Sequence, residues 1–269
     1  MRSTRLGDVI SWIGVILVTV FVLSPILWGL RTSLAPRFDK GIIPSDITVE
    51  HYQLILARPE FFIYTKNSLL VAAGAIAITL PVALLGGYAL ARFNFPGKNL
   101  SVLLLILPLL PAIAILIPLI SYVNKLGLYN THAVVIMANA VFNLPFAIWM
   151  LRNFILINPI EIEEAAMIDG CSRIRVLYRI AIPMMTPGLI AVAVFVFITS
   201  WNNYLYAFAL TASPDLRVLP QGILSFIGVW GTNYGGLTAI GTLALIPPVA
   251  LFLLFQRWFI AGVFGQQLK

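Results

Sequence analysis

The sequence predicts an all-α, polytopic membrane protein, and three observations carry that expectation. Hydrophobic residues make up 60% of the 269 residues, charged residues only 10%, and mean hydropathy is +0.97. Soluble domains carry far more charge than this. Six apolar stretches, at residues 9–30, 68–91, 100–123, 133–150, 185–210 and 237–255, approach the roughly 20 residues that a helix needs to cross a bilayer core. Between the fourth and fifth lies one long polar island, residues 158–183, NPIEIEEAAMIDGCSRIRVLYRIAIP. The expected architecture is one transmembrane domain over residues 1–269: six helices in a bundle, with the island forming a short helix in the cytoplasm.

The net charge of +7 does not point to nucleic acid, because the basic residues sit in the caps between stretches and form no single stripe. They read instead as topology signals. With both termini in the cytoplasm, ten basic residues fall inside (Arg2, Arg5, Arg92, Lys98, Arg152, Arg173, Arg175, Arg179, Arg257, Lys269). Seven fall outside, five of them in a first loop that also holds four acids. Positive charge is retained preferentially on the cytoplasmic side, so this bias places the island there as well.

The first stretch begins with Arg2 and Arg5 ahead of an apolar run, as a signal peptide does. It continues past Ser24 and Pro25 to Leu30 without a small-x-small cleavage site, so a retained span is expected. The first external loop mixes turn residues, Pro36, Gly41 and Pro44, with a patterned piece from Thr48 to Leu56, where Thr48 is placed to cap a surface helix. Asn67 and Ser68 open the second stretch. Its Gly86, Gly87, Ala89 and Ala91 suit close helix packing, and Pro96-Gly97 ends it in a turn.

The third stretch contains Pro108, Pro111 and Pro118 and cannot be a straight rod. Freed carbonyls in a bilayer must face protein or water, so it is either a pathway wall or an ordinary proline-bearing helix. Asn139, Asn143 and Pro145 of the fourth stretch must also face inward, either gluing helices together or lining a path. The fifth holds the densest polar cluster, Ser200, Trp201, Asn202, Asn203 and Tyr204. Amides and rings of this kind bind sugar-like solutes, so Asn143, Trp201, Asn202 and Tyr204 are candidate pathway residues, unless the cluster is an interfacial aromatic belt. The segment 211–236, rich in Pro and Gly, reads as irregular and external. The sixth stretch carries Pro247 and Pro248.

Within the island, Asn158 is placed to cap a helix, Pro159 to occupy its first position, and Glu161 to complete a capping box. That helix should run to about Ile168 and end at Gly170 in a left-handed conformation, after which Ser172 caps a second run that stops before Pro183. Glu161 and Glu164 share one face and Ile162, Ala165 and Ala166 another, giving a small-residue surface beside an acidic edge. Such a surface is built to dock.

Several chemistries have no residues to support them. The stretches carry no Asp, Glu, Lys or Arg near their centres, although ion-coupled carriers usually relay charge through such groups. There is no G-x-x-x-x-G-K-[ST] loop, H-E-x-x-H or G-x-S-x-G, and the single cysteine, Cys171, with the distant His51 and His132 makes no metal site. A polar-lined bundle without its own energy source implies a partner that supplies one, attached at the island. A secondary carrier or facilitator without an ATPase is the alternative.

Glu164, Ala165, Ala166, Gly170, Ile180 and Pro183, spaced E-A-A-x3-G-x9-I-x-x-P with Asp169 before the glycine, resemble the EAA motif of membrane subunits in ATP-binding-cassette (ABC) importers. Ile182 stands where the family usually has leucine. The chain is similar in particular to the second membrane subunit of maltose-type carbohydrate importers. That likeness runs through Asn67-Ser68, Gly87 to Phe93, Pro96-Gly97, Gly127-Leu128, Asn130-Thr131, Leu144-Pro145-Phe146, Trp201-Asn202, Ile246-Pro247, and Gln256-Arg257 with Gly262 and Gly265. The resemblance implies the type I importer permease fold in a prokaryotic cytoplasmic (inner) membrane. It implies a homologous partner permease, two ABC ATPase subunits, and an extracytoplasmic solute-binding protein. It implies no enzyme activity, cofactor or metal in this chain, ATP and Mg being bound by the ATPases. It makes Glu164, Ala165, Ala166, Asp169 and Gly170 the coupling residues. The segment 211–236 and the tail 265–269 match, by position, the parts that reach the binding protein and the ATPases.

Overall fold

In the computed structural model the described residues are 5–36, 39, 41–96, 98–106, 109, 111–224, 227–228 and 231–264. Expectations resting on Arg37, Lys40, Gly97, Pro108 or the tail 265–269 lie outside them. The described chain is almost entirely helical. Its long elements are α1 (Arg5–Ser33), α3 (Pro59–Arg92), α5 (His132–Ile157) and α12 (Tyr234–Phe264). Between them lie α2 (Glu50–Leu56), α4 (Ala112–Lys125), α6 (Ile160–Ile168), α7 (Arg173–Val176), α8 (Ile182–Met184), α9 (Thr186–Trp201), α10 (Leu205–Leu210) and α11 (Leu219–Ile223). Two-residue strands, β1 (Ile227–Gly228) and β2 (Gly231–Thr232), pair antiparallel ahead of α12.

Among the described residues helices α1, α3, α5 and α12 are long and apolar enough to cross a membrane, and the run from Arg173 to Met184 with α9, bent by 73°, adds a fifth if the bent pair is taken as one span. The shortfall against six expected stretches lies in the third. There the chain forms a 3-10 segment, Lys98–Leu105, and α4 begins only at Ala112, behind Pro111 in an extended conformation. Proline supplies no N–H and excludes the residue before it from helical geometry, so the α-helical part shrinks to 14 residues, or about 21 Å. Pro25, Pro81, Pro118, Pro145 and the pair Pro247-Pro248 lie inside their helices instead.

The chain divides into two compact units, Met1–Phe62 with Gly222–Ile246 and Ile63–Gln221 with Pro247–Lys269. In the first, residues 7–28 of α1 are exposed on every side, as expected of a helix whose solvent is lipid. After α1 the chain folds back on itself. The Ser33 and Tyr52 hydroxyls lie 2.6 Å apart, and the buried His51 ring reaches the Ala35 carbonyl at 3.2 Å. Gly235 is required beside it, since a Cβ there would collide with the His51 ring. The Asp39 carboxylate accepts the Gly41 and Ser45 amides and pairs with Arg31 at 2.8 Å. The Ser45 amide first, and then the Arg31 guanidinium, hold its carboxyl well below the usual carboxylate range. Thr48 caps more weakly than expected: its hydroxyl accepts the Glu50 amide, while Val49 is the helix's N-cap residue.

In the second unit α3 lies against α5, and α5 against α9. Gly87 makes the first approach possible: a Cβ there would stand 3.0 Å from the Arg152 backbone nitrogen. Apolar side chains pack in two clusters. One is built around Val71, Val134, Val135, Tyr206 and Leu210; the other around Ala75, Ala83, Ala147, Leu151, Val192 and Val196. In lipid this packing stabilises by van der Waals contact more than by water exclusion, which favours small residues where helices cross.

Candidate docking site on the polar island

The island follows α5 directly. Asn158 does not cap α6; it closes α5, and Pro159 is the N-cap residue of α6 with no side-chain cap. Because Pro159 brings no N–H, one of the helix's orphan donors is absent from the start, and no Glu161 capping bond forms. The expected elbow is present. Gly170 has φ +87°, and the Cys171 and Gly170 amides donate to the Ala166 and Met167 carbonyls at 3.0 and 3.1 Å, a Schellman closure. Ser172 then caps α7 through the Arg175 amide, as its position predicts.

The second run does not stop before Pro183. Residues Leu177–Ala181 form one π turn, in which the Ile182 amide reaches back five residues to the Leu177 carbonyl, and α8 carries Pro183 inside it. Widening the turn accommodates a proline that has no N–H to give to the preceding turn. The bend comes after Met184 instead.

What holds α6 in place is a residue the sequence pattern does not single out. Glu163 is buried, and its carboxylate accepts the Tyr88 hydroxyl at 2.7 Å and the Arg92 guanidinium at 2.7 and 2.9 Å. A further N–H of Arg92 donates to the Asn158 carbonyl at 3.0 Å. Tyr88 and Arg92 are one helical turn apart at the end of α3, so they converge on the same point. A second tie runs beside the first: the Arg173 guanidinium lies 5.2 Å over the Phe93 ring, which meets Tyr88 edge to face.

With Glu163 turned inward, the opposite face of α6 is free. Glu161, Ile162, Glu164, Ala165, Ile168, Asp169 and Gly170 are exposed, while Ala166 is half-buried. Ile168 retains 86% of its surface, an apolar anchor between two acidic positions. Of the expected coupling residues, Glu164, Ala165, Asp169 and Gly170 therefore stand on the outer surface, and Ala166 lies at its edge.

The candidate pathway residues are dispersed. Asn143 is buried, accepting the Thr199 hydroxyl at 2.7 Å and donating to the Asn139 carbonyl at 2.8 Å. Trp201 is buried and stacked on Phe197. Asn202 is exposed at the C-cap of α9, and Tyr204, half-buried, stacks on Phe208. Among the described residues no bond joins Asn143 to Asn202 or Tyr204. The break at residues 202–204 is stabilised by Asn203, whose side-chain Oδ1 accepts the Tyr206 amide.

At the far end of α3 a second set of polar residues grips the segment after α10. The Asn67 amide donates to the Asp215 and Arg217 carbonyls at 2.7 and 2.8 Å, and the Ser68 hydroxyl accepts the Leu219 amide at 2.8 Å. Asn130, left-handed at φ +61°, accepts the Ala212 and Ser213 amides. The first part of the segment read as irregular is thus rigidly tied.

Comparison with known proteins agrees with this architecture. Residues 80–265 match the model of the family described as binding-protein-dependent transport system inner membrane component. Over the whole chain and 99% of the relative, the sequence is 33% identical to the trehalose/maltose transport system permease protein MalG of Thermococcus litoralis. It is 31% identical, again over full length, to the diacetylchitobiose uptake system permease protein DasC of Streptomyces coelicolor. In structure it is similar to a chain of a bacterial ABC transporter involved in the import of the acidic polysaccharide alginate. That match has TM-score 0.76 and 20% identity, and covers 96% of this chain and 99% of that one.

Proposed function

The chain belongs to the family of inner membrane components of binding-protein-dependent transport systems, and from that premise we propose how it works and what it carries. It is a multi-pass permease subunit of an ABC importer. Its solute is a sugar or a sugar-like compound, since the relatives that match along the full length are named for trehalose, maltose and diacetylchitobiose. Energy enters from a separate ABC ATPase that binds ATP and Mg; the chain itself holds neither and catalyses no reaction.

The observation that carries the reading is the division of labour on α6. Glu163 is spent on an internal anchor, and the face bearing Glu164, Ala165, Ile168, Asp169 and Gly170 is exposed, with no ion pair among the described residues. A short helix fixed rigidly at its back and bare at its front transmits a push. ATP-driven closure of two ATPase subunits displaces α6, the anchor passes that displacement to α3, and the bundle rotates as a body to open the path to the other side. A homologous permease completes the pathway and a solute-binding protein delivers the sugar from outside. Both termini and the island lie in the cytoplasm, and of the four expected pathway residues the exposed Asn202 and half-buried Tyr204 line the path, while Asn143 and Trp201 are buried in the bundle.

The test is transport by the assembled complex in proteoliposomes, with ATP hydrolysis followed in parallel. Ala165→Arg places a bulky charge on the bare face without touching the anchor. It should abolish sugar-stimulated hydrolysis while the permease stays folded in the membrane. Transport that persists with this variant overturns the assignment of the docking face. A panel of disaccharides, polyols and aminosugars, scored by which one stimulates hydrolysis, identifies the solute.

A further inference from the structure

An apolar cavity of about 220 Å3 lies between α3 and the run that follows α7. Leu80, Leu84 and Leu85 of α3 form one wall, and Leu177, Tyr178 and Ile182 of the π turn and α8 form the other. A sugar finds almost nothing to hydrogen-bond there, since the Tyr178 phenol is the one polar group among the lining side chains. The groove is open, with Leu85 and Tyr178 exposed at its rim, so a segment of hydrocarbon chain can enter it from the membrane and match its chemistry.

The depth and the charges around the cavity fit a membrane lipid. Leu85 is seven residues before Arg92, so this wall lies about 10 Å deeper along α3 than the island's anchor, at the level of acyl chains when the island is at the headgroups. Arg175 precedes the lining Tyr178 by three residues and Arg179 follows it directly, which sets both arginines within about one turn of the cavity's Tyr178 wall. Both are exposed, and among the described residues neither has a carboxylate partner. The island's exposed acids, by contrast, sit on α6, at Glu161, Glu164 and Asp169. Basic residues beside an apolar groove at a membrane boundary select an anionic headgroup.

We infer that this cavity seats an acyl chain of an anionic phospholipid whose phosphate pairs with Arg175 and Arg179. The lipid wedges α3 against the bent run that joins the docking helix to α9. The inference rests on the chain's being a membrane permease but not on the docking face of α6, so the two can fail separately.

The test uses the assembled complex in nanodiscs of phosphatidylcholine and phosphatidylglycerol in equal amounts, released into detergent and weighed intact by native mass spectrometry. Phosphatidylglycerol should be retained in preference to phosphatidylcholine. The preference should fall by roughly fivefold for each of Arg175→Gln and Arg179→Gln, from the usual contribution of one arginine at a charged lipid surface. Leu85→Trp, at a position 56% exposed and so tolerant of bulk, should displace both lipids. Arg217→Gln, at the opposite end of the second unit, should leave the lipid preference as it is. Equal retention of the two lipids by the unaltered protein overturns the inference. So does undiminished phosphatidylglycerol preference in the double Arg175→Gln, Arg179→Gln variant, including the case in which that variant loses its ATPase, which would assign the arginines to protein contact.

Discussion

The two ends of α3 hold their neighbours in opposite ways. At the end nearer the island, Tyr88 and Arg92 grip a side chain, the carboxylate of Glu163, through a buried ion pair and a phenol. At the other end, Asn67 and Ser68 grip only main chain: the carbonyls of Asp215 and Arg217 and the amide of Leu219. The first arrangement demands one residue at one place on α6 and locks the helix's rotation, as the coupling role proposed for it requires. The second fixes the path of a segment while leaving its side chains open.

The sharpest way to break the contrast is to remove half of the charged grip. Arg92→Ala leaves the Glu163 carboxylate buried without its cation, and removing one member of a buried pair typically costs about 3–5 kcal/mol. The permease should melt well below the unaltered protein, and ATPase subunits should no longer co-purify, since α6 loses its fixed back. Raising the salt concentration should not reproduce the effect, because buried pairs are poorly screened. An Arg92→Ala complex that stays assembled and transports at the normal rate would show that the anchor transmits nothing.

How much of this was legible in the sequence differs between the ends. The elbow could be read because its cause is local: Gly170 tolerates a positive φ that side chains resist, and Ser172 follows at capping distance. The two faces of α6 could be sketched from helical spacing, and the residues so placed are largely exposed. The anchor could not, because Glu163 and Arg92 are 71 positions apart and nothing in the spacing of either marks the other. Tyr88 and Arg92 could be seen to share a face, which is half of the signal. Asn67 and Ser68 likewise read only as the opening of a span, since their partners are carbonyls and amides that any residue supplies. The prolines announced a broken third stretch but not its extent, while Pro183 misled. It lies within a helical run because one wide π turn absorbs the missing N–H, a tertiary accommodation that local rules do not anticipate.

The neutral grip should be weaker. Asn67→Ala abandons two carbonyls at part-buried positions, each worth about 1–3 kcal/mol when left without a donor. Hydrogen exchange should speed up across residues 213–219 while α6 stays as protected as before, and ATP hydrolysis in the absence of the binding protein should be unchanged. Loosening that spreads to α6 would mean that the two ends are not independent.

Smaller still is the expected effect of changing the gripped segment itself. Asp215→Ala and Arg217→Ala remove side chains whose backbone, not whose chemistry, is held. Each should shift stability by no more than about 0.5 kcal/mol in a thermal melt, the usual range for surface changes. If the main-chain grip exists to leave these side chains free, the same substitutions should be felt instead in binding-protein-stimulated hydrolysis. A large loss of stability from either would place them in the structural set with Glu163.

The least expected effect concerns a charged grip that stays within one loop. Asp39 receives the Gly41 and Ser45 amides and the Arg31 guanidinium, its side chain nearly as covered as that of Glu163, but its cation comes from only eight residues away. Its carboxyl is held below the ordinary value of 3.8. A depressed folded value means that the stabilising contribution is fully present above the ordinary value and is lost as pH falls through the lower, folded one. Protection of the Gly41 and Ser45 amides should therefore be independent of carboxyl titration between pH 5 and 8 and should collapse only under strongly acid conditions. Asp39→Asn should abolish that protection at every pH yet lower the melting temperature less than Arg92→Ala does, because the pair ties positions eight residues apart and not two distant helices. If Asp39→Asn destabilises the permease as Arg92→Ala does, the reach of the pair along the chain is not what separates a grip between helices from one that only shapes a loop.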